Sequence, residues 1–189
     1  RMNEESANAL LKVMEEPPEG VLFLLTADSL ASVLPTIRSR CVSFAVAPVS
    51  PADCTRYCAA QGVDKKTAAL YSELFDGHIG TVLAVARDEA RAAQVEKALE
   101  LARAAAARDS YTAAVLLAAY EKDKAAASAL LTDFRAVAAA GLRSSPRAPV
   151  QGTQARQAVR LAEAALQRLG AQVNPKGVLS VFAAKLRTL

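Results

Sequence analysis

Cys54 and Cys58 lie one helical turn apart, the spacing at which two thiols on one helix face can share a metal ion. No second Cys pair exists to complete a structural zinc site, and His78 is the only histidine. Ordinary, partly buried thiols are therefore expected, with no metal site assigned. Three cysteines cannot all pair within one chain, and nothing suggests export, so reduced thiols in a cytoplasm are the economical reading. The paired acids Glu4-Glu5 and Glu15-Glu16 read as solvated or helix-terminus charges rather than general acids. The sequence has no glycine-rich phosphate loop, no Ser-His-acid or Cys-His arrangement, and no carboxylate cluster of metal-binding type. Self-contained catalysis is thus not expected. What stands out is Leu34-Pro35-Thr36-Ile37-Arg38-Ser39-Arg40-Cys41, set between two apolar runs.

The elements that must position this motif follow from periodicity and caps. A helix is predicted from about Asn3, as N-cap, to Glu16, with Ala7, Leu10, Leu11 and Met14 at helical spacing and Pro17-Pro18 ending it. Gly20 leads into the unbroken apolar run Val21–Ala27, read as a strand covered on both faces in a parallel sheet; Val42–Val46 reads as a second strand. Two such strands cannot cover themselves, so residues 1–47 are expected to be part of an α/β layer whose other strands are missing. Opening on Arg1 rather than Met fits a truncated chain. Its uncovered strand edges predict that the isolated chain self-associates, leaves residues 1–47 disordered, or is accompanied by its missing half.

From Ser50-Pro51 onward the strand signals stop. Ser50 caps one helix, Asp64 caps a second through Phe75 with Gly77 at its end, and a short helix runs from about Ile79 to Arg87. Longer helices are predicted over about 88–107, 109–121, 123–142, 153–169 and 175–188, with a break from Ser144 to Pro149. In the helix from Thr153, Val159, Ala162, Leu166 and Leu169 make a stripe read as bundle core, beside a face of Arg156, Arg160, Glu163 and Gln167. The expected fold class is mainly α: a remnant of an α/β domain, a small helical unit, and an all-α bundle.

Composition agrees. The chain has 189 residues and 19.8 kDa, 52% apolar and 22% charged, with mean hydropathy +0.16 and no Trp. That suits one medium domain or two to three small ones, and excludes collagen-like, mucin-like and low-complexity classes. The longest apolar runs, Val21–Leu25 and Ala113–Tyr120, fall short of the roughly 20 residues a membrane span needs, so no membrane association is expected. The net charge of +4 is uneven: residues 1–134 carry 14 basic and 18 acidic side chains, residues 135–189 carry 9 and 1. A cationic C-terminal third suggests an acidic partner, either nucleic acid or a negative protein surface. The protein surface is preferred, because no aromatic residue interleaves Arg156, Arg160 and Arg168 as base stacking would want.

Ala7-Asn8-Ala9-Leu10-Leu11-Lys12, Glu15-Glu16-Pro17-Pro18 and Ser39-Arg40-Cys41 together resemble the bacterial clamp-loader proteins of the AAA+ ATPase class, densely over the first 47 residues and more loosely beyond. The resemblance implies that residues 1–47 are the end of an AAA+ domain, with the sensor-1 strand and the Ser-Arg-Cys motif, that 48–90 form a helical lid, and that 91–189 form the collar through which subunits assemble. In that family the phosphate loop and acidic metal-binding strand lie upstream, so no cofactor is expected in this chain; ATP and magnesium belong to neighbouring subunits. The position matching the family's arginine finger is Arg40, with Ser39 and Cys41 as motif neighbours. A permanently charged, planar guanidinium delivered in trans stabilises the charge spread over a transferring phosphoryl group, by about 10³ to 10⁵ in rate. Arg38 is read as surface. Thr26 lies near the sensor-1 polar position, but the loop from Asp28 to Leu34 is one residue longer than in ATP-hydrolysing relatives, and no role is assigned to it.

Gly77-His78-Ile79-Gly80 has glycine at about the place of the sensor-2 arginine of ATP-hydrolysing subunits. It resembles the delta-prime type, which lends an arginine without hydrolysing ATP; His78 is read as a capping or surface residue. Gln172-Val173-Asn174-Pro175-Lys176 is similar to the tail of that type. The implied role is within bacterial DNA polymerase III, in DNA replication, as a subunit not catalytic on its own. The implied partners are gamma or tau and delta subunits, and, through the assembly, a sliding clamp and primed DNA. The alternatives are an ATP-hydrolysing gamma or tau subunit, against which Gly80 argues, and a helical scaffold or nucleic-acid-binding module unrelated to AAA+ proteins. A phosphate loop roughly a hundred residues upstream would separate the last from the others.

Overall fold

The structure is a computed structural model that describes residues 4–27, 29–47, 49–171 and 173–189, with side chains from Leu10 onward. The expectations placed on Asn3, Asp28 and Gln172, and on the side chains of Glu4, Glu5, Ala7, Asn8 and Ala9, lie outside the described residues. Two compact units appear, Arg1–Ala47 and Pro48–Leu189.

In the first unit, α1 (Glu4–Glu15) ends just before Pro17-Pro18, whose rings cannot continue it. A short 3₁₀ turn (Leu30–Ser32) and the single-turn helix α2 (Pro35–Arg38) follow. Neither was predicted. Pro35 fixes the first helical φ of α2, and Ile37, 4% exposed, anchors it. The two expected strands do not form: no strand is present among the described residues, and Val21–Ala27 and Val42–Val46 run without ladder hydrogen bonds. A strand exists only through a partner, and neither run has found one. Their side chains accordingly face solvent, with Leu22 85%, Leu24 84%, Val42 81%, Phe44 84% and Val46 94% exposed.

The second unit is helical. Ser50 caps α3 (Pro51–Ala60) by accepting from the Asp53 N–H, and Asp64 caps α4 (Lys65–Leu74) by accepting from the N–H groups of Lys66 and Thr67. After α4 the chain turns back through Gly77, whose φ of +72° is left-handed and whose missing side chain leaves room for the Val49 carbonyl; a Cβ would stand 1.7 Å from that oxygen. Asp88 closes α5 (Ile79–Arg87) and at once caps α6 (Glu89–Ala107). Asp109 caps α7 (Ser110–Ala118), Asp123 caps α8 (Lys124–Leu142), α9 spans Gly152–Gly170, and Asn174 caps α10 (Pro175–Leu186).

α8 packs between α6 and α9, while α10 lies on α7 and α9. Phe134 of α8 meets Phe182 of α10 edge to face, with ring centres 5.4 Å apart at 83°. α8 is long and apolar enough by length and composition to cross a membrane, but here Leu130, Leu131, Phe134 and Val137 fill the bundle core. The Cβ missing at Gly141 would stand 1.9 Å from the Val150 carbonyl, so the break after α8 folds back directly onto the helix end. Residues 48–90 and 91–189 share one continuous core, running from Cys54 to Leu189. Contacts from the α8–α9 break also tie them: Arg143 donates to the carbonyls of Glu73 (3.4 Å) and Leu74 (3.3 Å) and pairs with Asp76 (3.1 Å), and the Ser145 hydroxyl donates to Glu73 (2.9 Å).

Candidate functional site

The Ser39-Arg40-Cys41 segment hangs on α2. The Ser39 N–H donates to the Pro35 carbonyl (2.9 Å) and the Arg40 N–H to the Ile37 carbonyl (3.1 Å), so the turn continues past the helix and fixes where Arg40 leaves the backbone. The Ser39 hydroxyl donates to the Thr36 carbonyl (3.0 Å), and Arg40 Nη1 donates to the same oxygen (3.0 Å). Arg40 Nη2 pairs with the Glu15 carboxylate at the end of α1. The Arg40 side chain is 38% exposed, so the guanidinium is oriented yet open to water. Arg38 is exposed and Cys41 half-buried. Thr26 is exposed on a segment that is not a strand, and the structure gives it no sensor geometry.

The contact with Glu15 was not anticipated from the sequence. One signal pointed to it: a carboxylate in the last turn of a helix opposes the helix dipole and gains from a nearby cation.

His78 stands at the N-cap position of α5, exposed, and its Nδ1–H donates to the Phe75 carbonyl (2.7 Å), closing the turn after α4. Gly80 opens α5 on the solvent side, with nothing near the place its Cβ would occupy; packing therefore does not demand glycine there. Cys54 and Cys58 are fully buried with sulfurs 4.0 Å apart, and burial next to Cys54 pushes the Cys58 thiol up to about 11. At that value the thiol is neutral and neither a nucleophile nor a ready ligand.

On α9, Ala162 and Leu169 are buried and Val159 and Leu166 half-buried, joined in the core by Ala155, Ala158 and Ala165. Arg156, Arg160, Glu163 and Gln167 are all exposed, as is Arg168. Lys176, by contrast, reaches Glu121 at 3.6 Å. The arrangement offers two features able to meet an anion: an oriented, partly exposed guanidinium at Arg40 and an exposed basic face on α9.

Residues 1–50 match the family model described as DNA polymerase III, delta subunit. The chain is 61% identical over 41 residues to the DNA polymerase III subunit delta' of Haemophilus influenzae, a stretch that is 22% of this chain and 12% of that protein. It is 45% identical over 56 residues to the subunit delta' of Yersinia pestis, 30% of this chain and 16% of the relative. It is 40% identical over 52 residues to the DNA polymerase III subunit gamma of Buchnera aphidicola, 28% of this chain and 14% of the relative. The chain thus spans less than a fifth of the length of the curated relatives it matches. No solved structure matches it. The N-terminal part of the chain is thus similar to DNA polymerase III delta' and gamma subunits.

Proposed function

We propose that this chain is the C-terminal portion of a delta-prime-type clamp-loader subunit of bacterial DNA polymerase III, acting in the cytoplasm during DNA replication. The observation that carries the reading is the match of residues 1–50, which includes the Ser39-Arg40-Cys41 motif, to that family model. Residues 1–47 are the end of the AAA+ domain, 48–90 the lid and 91–189 the collar that joins the subunit to gamma or tau and delta neighbours. The extended runs Val21–Ala27 and Val42–Val46 take their places in a sheet completed by the rest of that domain. Through the assembly the subunit serves a sliding clamp and primed DNA.

Arg40 presents its guanidinium across the subunit boundary to the γ-phosphate of ATP held with magnesium by a neighbour. As the phosphoryl group departs, negative charge spreads over its oxygens, and a cation that never deprotonates stabilises it without any proton transfer. The chain does no bond-breaking of its own. An arginine at position 80 would be needed for the hydrolysing gamma or tau type, and Gly80 supplies no side chain for it.

The experiment is reconstitution of the full subunit with gamma-type ATPase and delta subunits, comparing wild type with Arg40→Ala in clamp- and DNA-stimulated ATP hydrolysis. A fall of about 10³-fold with assembly intact is expected for a finger acting in trans. An unchanged rate removes the catalytic role and leaves the collar role standing; failure to assemble favours the unrelated helical scaffold.

A further inference from the structure

Arg40 uses both of its terminal nitrogens within its own unit: Nη2 on the Glu15 carboxylate, Nη1 on the Thr36 carbonyl at 3.0 Å. One N–H of each terminal nitrogen is thus engaged, and the charge of the fork is offset by a carboxylate. A phosphate oxygen approaching Nη2 along the N–H that Glu15 holds competes with that carboxylate, and the two anions repel one another across the guanidinium. The Thr36 carbonyl bears no net charge and can stay.

Resting on the arginine-finger reading above, we infer that Glu15 is a positioning residue for Arg40, parking the guanidinium on its own subunit and yielding it to a phosphate of higher charge. The strength of the contact suits that task. With side chains 38% and 51% exposed, the pair sits in a high-dielectric setting and is weak enough to be exchanged. A terminal phosphate offers more charge and several acceptor oxygens, so it outcompetes a single carboxylate. Glu15 is also the last residue of α1, where its charge opposes the helix dipole. Release of Arg40 restores that repulsion, so the parked state is the resting one.

The test uses the assembled loader with the full-length subunit carrying Glu15→Gln, which keeps the side-chain size and removes the charge. Basal ATP hydrolysis, without clamp or DNA, is expected to rise about two- to five-fold, the range an exposed ion pair commands. The stimulated rate is expected to hold, so the stimulation ratio falls; a merely structural role would leave that ratio unmoved. Glu15→Ala should reproduce the effect, and in the Glu15→Gln/Arg40→Ala double variant the rise should vanish. A basal rate that is unchanged, or that falls together with the stimulated rate, overturns the role of Glu15, as does a rise that survives loss of Arg40. If Arg40→Ala alone leaves hydrolysis untouched, the finger reading fails and the parking role falls with it. If Arg40→Ala is inactive while Glu15→Gln behaves as wild type, only the parking role fails.

Discussion

Arg91 closes both terminal nitrogens on the carboxylate of Asp133, with Nη2 2.6 Å from Oδ1, while Gln94 Nε2 donates to the other oxygen at 2.9 Å. Asp133 is 3% exposed in the middle of α8, and Arg91 and Gln94 lie on α6. The buried carboxylate takes its donors from one neighbouring helix, and the hydrogen bond to Asp133, together with its charge, holds the Arg91 guanidinium above its ordinary value. Arg91→Ala is expected to destabilise by about 3 kcal/mol, because it leaves a buried charge uncompensated. Urea unfolding measures this, and a loss under about 0.5 kcal/mol, the scatter of ordinary surface changes, would show the pair to be incidental.

Thiol chemistry should separate the three cysteines. Cys41 is half-buried and Cys54 and Cys58 are fully buried, so a disulfide-exchange reagent at neutral pH should titrate one thiol quickly and two only on unfolding. Because burial raises the Cys58 thiol to about 11, its neutral form favours the folded state. That contribution is full below the unfolded thiol value, about 8.5, and is lost as pH rises through about 11. Three thiols reacting at one rate in the native protein would contradict the burial.

The acid limb has a different origin. Hydrogen bonds from the Thr67 N–H and hydroxyl hold the Asp64 carboxyl below its usual range, and the Thr112 hydroxyl and N–H do the same for Asp109. A lowered carboxyl pKa stabilises the fold above the unfolded value, about 4, and that stabilisation is lost as pH falls through the folded one. Replacing both with Asn keeps a capable helix cap without the charge. Thermal melts from pH 7 to 2.5 should show a shallower acid decline for the double variant, and parallel curves would refute the assignment.

Five large apolar side chains, Leu22, Leu24, Val42, Phe44 and Val46, stand more than four-fifths exposed. Such surface drives association in water. The chain on its own is expected to elute at a size that grows with concentration, and Leu22→Lys with Phe44→Lys should return it toward the monomer. A wild-type monomer at all concentrations would count against this.

The exposed arginines of α9 give a prediction at the level of assembly. Reversing Arg156 and Arg160 to Glu should weaken subunit association and leave the helix intact, since neither is buried. Unchanged assembly with reduced DNA affinity would assign the face to nucleic acid instead.

Ser50 and Asp64 are caps whose signal is local, an acceptor side chain meeting an N–H two or three residues on, and these were legible in the sequence; Asp109, Asp123 and Asn174 cap in the same way. The core stripe of α9 was legible for the same reason, because periodicity needs no distant partner. The runs at Val21–Ala27 and Val42–Val46 have strand composition, but pairing is decided by what lies alongside, and composition carries no information about that. The contact between Glu15 and Arg40 spans 25 residues and that between Arg91 and Asp133 spans 42; each depends on how two elements distant in sequence meet. Arg40 itself stood out only through the residues around it, since a lone arginine looks like any other surface charge.

Asp88 joins α5 to α6 with no linker, and Arg143 and Ser145 connect the end of α4 to the C-terminal end of α8. Bending at Asp88 would therefore also have to break the contacts with Glu73, Leu74 and Asp76. A force on the first three helices of the second unit therefore meets the contacts between the ends of α4 and α8 as well as the junction at Asp88.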